Sequence, residues 1–202
     1  MFSRAGLLLS WKEIRPYFIF SIILFFAGVV IGGSPNAPQQ YLEQQIKGLE
    51  SIMNDINQSN NPELTAFVRI TLNNVFAAVM IMAFGIVAGI MPVISLVSNG
   101  MVIGYVLGEA AEQGHNLWAS VIKGILPHGI FELSAVFLAA AFGMRFGMTL
   151  IKGVFGSAFG KSQAWQPFVR TAIGAVPAVI LVLVLLLVAG VVESTVTFWL
   201  MS

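Results

Sequence analysis

His128 and Glu132 are the side chains in this 202-residue sequence best placed to do chemistry. They stand four residues apart in Leu126-Pro127-His128-Gly129-Ile130-Phe131-Glu132, inside a mostly apolar stretch from Leu117 to Phe142. Crossing a bilayer takes about 20 apolar residues, so this stretch is long enough. Ionisable groups in hydrocarbon mark either function or a specific buried partnership. A spacing of four puts both on one helix face. Proline suits a first helical position, where its missing N–H would be unpaired anyway, so a helix is expected from Pro127 after a lead-in ending at Leu126. A metal site, a proton relay and an ion path all fit this pair. So does a purely structural His–Glu hydrogen bond that neutralises both groups and pins two helices together.

The metal reading has limits. Zinc takes three or four protein ligands, and His128 with Glu132 supplies two. A dimer axis, or Glu109, Glu112 and His115, would have to supply the rest. The chain has no cysteine, which removes disulfides, thiolate sites and thiol catalysis. No His-Glu-x-x-His is present. Ser134 lies six residues beyond His128 without a Gly-x-Ser-x-Gly turn. Neither an enzyme nor a cofactor is expected.

Asn73-Asn74 and Ser98-Asn99-Gly100 are the other polar islands in apolar sequence. Membrane amides usually hydrogen-bond across helices. In a transport reading they would instead line a midplane site with His128 and Glu132, Asn99-Gly100 capping a helix broken after Pro92. Gly85, Gly89, Gly100, Gly104 and Gly108 recur every four residues within each group and permit close helix crossing. That allows a homodimer and equally allows packing within one chain.

The elements that position these residues follow from composition. The chain is 57% hydrophobic and 9% charged, against about 25% charged in a soluble domain. This predicts an all-α, polytopic membrane bundle with Pro-broken helices, and the lipid bilayer as its first partner. A net charge of +1 gives no case for nucleic-acid binding. Five spans are expected: Pro16 to Ile31, Ala66 to Ile90, Pro92 to Gly108, Leu117 to Phe142 and Thr171 to Val192. The first is read as uncleaved, because no small-x-small cleavage site precedes Gly32-Gly33-Ser34-Pro35. Arg4, Lys12 and Arg15 precede the first span, and Arg145, Lys152, Lys161 and Arg170 lie between the fourth and fifth. The positive-inside bias therefore predicts a cytoplasmic N-terminus and an extracytoplasmic C-terminus. Lys123 and Arg69 lie near helix ends, where they can snorkel.

Two further segments flank the spans. From Pro38 to Asn60, an external amphipathic helix is expected, with Leu42, Ile46, Leu49, Met53 and Ile56 on one face. That stripe must be covered by the chain's own spans, by membrane or by a partner; Leu42, Ile46, Leu49 and Met53 are the candidate partner anchors. From Arg145 to Phe168, aromatics interleave with basic residues, which reads as a cytoplasmic interfacial segment on anionic lipid.

At Asn73-Asn74, Gly85 to Pro92, Ser98-Asn99-Gly100 and above all Pro127-His128-Gly129-x-x-Glu132, the chain resembles the stage II sporulation protein M family of bacterial membrane proteins. The resemblance covers Asn73 to about Gly147. It implies a polytopic, five-span protein of the bacterial cell membrane. In the sporulation member it implies a non-enzymatic scaffold during engulfment, holding a peptidoglycan-degrading complex of two other proteins at the septal membrane. Family members also occur in organisms that do not sporulate, which leaves solute handling or service to an export system open. The motif residues carry over as family hallmarks without an assigned chemical role.

Overall fold

The structure is a computed structural model that describes residues 4–114, 121 and 126–197. The described chain is all-helical: α1 (Arg4–Gly32), α2 (Gln39–Asn57), α3 (Pro62–Phe84), α4 (Ile90–Glu112), α5 (Leu126–Ala158), α6 (Gln166–Val192) and a closing π-helical turn (Glu193–Thr197). Every element but α2 and the closing turn is long and apolar enough to cross a membrane, as the five-span reading expects. Residues 117–120 and 122–125 of the expected fourth span, together with His115 and Lys123, lie outside the described residues.

Local chemistry sets the boundaries. Asn61 caps α3 by accepting the Leu64 backbone N–H at 3.1 Å, with Pro62 in the first turn. The break between the second and third spans falls at Gly85–Gly89, upstream of Met91-Pro92 where the sequence places it. Ala88 and Gly89 adopt φ of 55° and 71° there. Pro92 instead sits in the first turn of α4, where its missing donor is harmless. α5 runs unbroken through Phe142 to Ala158, so the expected interfacial segment begins as a continuation of the fourth span. Gly160, at φ 67°, ends it in a Schellman motif: Lys161 N–H donates to Gly156 O at 2.9 Å and Gly160 N–H to Ser157 O at 3.1 Å.

α1 and α4 pack in parallel along a glycine seam. Gly28 and Gly32 face the Val97 and Met101 backbone, and Gly100 and Gly104 face Phe25 and Val29; no site has room for a Cβ. The Gly85–Gly89 turn closes onto Gly143 and Gly147 of α5 in the same way. These small-residue faces, candidates for a homodimer in the sequence, are used inside one chain. The core centres on α5, where Ala135 to Phe142 are all buried. Phe137 packs between Phe18 and Phe25 of α1. Large apolar side chains such as Ile23, Val30, Phe76 and Leu181 point outward, as lipid contact requires.

Candidate functional site

α5 begins at Leu126 with Pro127 in its first turn, so His128 and Glu132 share a face as their spacing dictates. The ion-pair partner of His128 comes from elsewhere. Nδ1 of His128 lies 2.5 Å from Oε2 of Glu193, in the turn after the last span. The two side chains are 18% and 25% exposed. Glu132 follows His128 by one turn on the same helix. The site is thus three groups from two helices, and the sequence reading missed Glu193. Its only signal is an acid directly after the apolar run that ends at Val192. Glu193 opens a π-helical turn, a local widening often seen at functional positions.

Thr71 lies beside this cluster. It is buried on α3 against Gly190, one turn before Glu193. Its hydroxyl has no hydrogen-bond partner among the described residues. No group of three or more His, Asp or Glu among the described residues is placed to hold a metal ion.

The amides do not all join this site. Asn73 and Asn74 sit mid-α3, with Asn73 Nδ2 donating to Asn74 Oδ1 at 3.4 Å and Asn73 exposed. Asn99 is exposed on α4, and Gly100 belongs to the α1 seam. Gly129 is buried one residue beyond His128.

A second polar cluster sits at the opposite end. Arg145 of α5 pairs with Glu13 of α1, and Arg170 of α6 approaches the other oxygen of Glu13 at 3.5 Å. Only 6% of the Arg145 side chain is exposed. The sequence places Arg145 on lipid at the start of an interfacial segment, and the structure corrects this. Because α5 does not end at Phe142, Arg145 is carried into the packed interior rather than onto the surface.

The amphipathic helix is fixed at both ends. Tyr41 OH bonds Ser98 Oγ of α4, and Asp55 pairs with Arg69 of α3 at 3.1 Å. Leu42 and Ile56 are buried in the chain's own bundle, and Ile46 is half-buried. Leu42 is thus an intramolecular anchor, contrary to its expected place on a partner surface. Leu49 and Met53 remain 48% and 51% exposed.

These features define a multi-pass helical membrane protein with a polar cluster at each end of its bundle. A family model described as stage II sporulation protein M matches residues 17–198, and the chain belongs to that family. Two relatives come from Methanocaldococcus jannaschii. Uncharacterized protein MJ0706 is 28% identical over 152 residues, covering 75% of this chain and 64% of the relative. Uncharacterized protein MJ0793 is 28% identical over 101 residues, covering 46% of this chain and 56% of the relative. The chain thus spans less than two thirds of the length of either relative. No solved structure matches.

Proposed function

We propose that this protein is a non-enzymatic membrane scaffold that recruits and localises partners at the cell membrane, peptidoglycan-remodelling proteins being the class the family resemblance points to. The N-terminus is cytoplasmic in this reading, which puts α2 outside. The observation that carries it is α2 itself. Leu42 and Ile56 bury the two ends of this helix in the chain's own bundle while Leu49 and Met53, between them on the apolar stripe, stay uncovered. A rigid, preorganised platform with a few apolar anchors suits partner capture, since interface energy concentrates in few residues. The test is crosslinking in intact membranes followed by affinity capture. Leu49→Asp with Met53→Asp is expected to abolish recovery of cell-wall hydrolases while the protein still inserts. Unchanged recovery would overturn the reading.

One observation supports a second reading, passage of an ion or small solute. Thr71, His128, Glu132 and Glu193 bring polar groups together at one end of the bundle. Flux in liposomes that is lost in Glu132→Gln, with stability unchanged, would favour it. A variant that fails to insert would make the cluster structural.

A further inference from the structure

A sizeable groove lies far from His128, at the α5–α6 corner. Its volume is about 550 Å³, and it is lined in part by Ser157, Lys161, Gln163, Trp165 and Arg170. It sits at the end of the bundle that carries seven of the ten basic residues and one of the nine acidic ones, Glu13. That acid is engaged by Arg145 and Arg170. Arg170 lines the groove as well as approaching Glu13 at 3.5 Å. Lys161 is held by the Schellman motif that ends α5, which fixes its backbone. The groove is therefore a concave, cationic site built on a defined corner rather than a charge on a loose loop.

Two further features point to a ligand at the membrane surface. Gln163 holds φ at 67° without being glycine. Such strained backbone persists where the surroundings fix it, and it gathers at binding sites. The surroundings here do fix it: the Trp165 ring covers Gly153 and Ala164 presses on Gly156. Trp165, part of the groove lining, is itself 41% exposed. Tryptophan gathers at membrane–water interfaces, where its amphipathic ring sits at the headgroup level.

We propose that this corner binds the phosphate of an anionic phospholipid headgroup, with Lys161 and Arg170 as its cationic clamp and the Trp165 ring at the headgroup level. Arg supplies a planar fork and Lys a point charge, a pairing suited to a phosphate diester. Anionic lipid concentrates in the cytoplasmic leaflet, the side to which the basic end is assigned in the proposed orientation. The site is independent of the α2 platform, so either can fail without the other.

The test is native mass spectrometry of the intact protein from micelles holding equimolar phosphatidylglycerol and phosphatidylcholine. At least tenfold preferential retention of phosphatidylglycerol is expected. Lys161→Gln should bring retention to the phosphatidylcholine level, and Lys161→Arg should restore it. These variants carry the test because Lys161 is exposed, whereas Arg170→Gln also disturbs Glu13. Equal retention of the two lipids, or no effect of Lys161→Gln, would overturn the proposal. Displacement of the lipid by 10 mM inorganic phosphate would replace it with a free-phosphate site.

Discussion

Oε2 of Glu193 lies 2.5 Å from Nδ1 of His128, which ties the end of the last span to the start of the fourth. The pair is partly buried, so loss of the Glu193 carboxylate removes a charged contact from His128. Glu193→Gln is expected to destabilise the protein by about 1.5–3 kcal/mol, the range for a hydrogen bond to a charged group. Thermal unfolding in detergent measures this. A double-mutant cycle with His128→Asn should show coupling, and additive effects would mean that the contact does not matter to stability.

Arg145 and Glu13 form a more deeply buried pair. Breaking one side of such a pair typically destabilises by about 3–5 kcal/mol, because a charge is left uncompensated. Glu13→Gln, which leaves the buried Arg145 guanidinium without its carboxylate, should therefore unfold far more readily than wild type in chemical denaturation. Adding Arg145→Met should recover most of the loss. The double variant faring as badly as the single one would contradict the assignment.

Asp55 and Arg69 are joined at 3.1 Å, but both side chains are more than half exposed. Surface pairs contribute about 0–1 kcal/mol and are screened by salt. Asp55→Asn should leave the unfolding midpoint nearly unchanged at physiological ionic strength. A large shift would mean that the pair is shielded from water.

Glycine substitutions should split cleanly. A Cβ at Gly104 would run into the Val29 carbonyl and the Gly33 amide. Gly104→Val should abolish recovery of monodisperse protein in size-exclusion chromatography. Gly48, within α2, has nothing within 4 Å of a would-be Cβ. Gly48→Ala should stabilise α2 by about 0.5–1 kcal/mol through helix propensity alone.

The absence of cysteine makes the orientation directly testable. A cysteine placed at Gln45 should react with a membrane-impermeant maleimide in intact cells. One placed at Ser162 should react only after permeabilisation. The reverse pattern would invert the proposed topology.

Much of the fold is legible in the sequence because hydrocarbon leaves few options. The five spans follow from hydropathy. The α2 stripe follows from its 3–4 periodicity. What does not follow is which residues meet. Glu193 reads as the end of a span, and nothing local names His128 as its partner. Arg145 reads as interfacial because it follows the apolar run ending at Phe142; its burial depends on helix continuation and on the tight fit at Gly143 and Gly147. The glycine spacing announces a close approach but not its address, so the same pattern fits a dimer seam and the internal α1–α4 seam that forms.

The α1–α4 seam has a consequence for biogenesis. α1 is made before α4, so its backbone-to-backbone partner arrives only after α2 and α3 have been made. The Gly85–Gly89 turn must in turn wait for α5 before Gly143 and Gly147 can receive it. The early spans therefore dwell in the bilayer, or with an insertase, as unmatched helices. His128 meets Glu193 only when the last span is delivered, so translation itself sets the order in which the bundle is fastened.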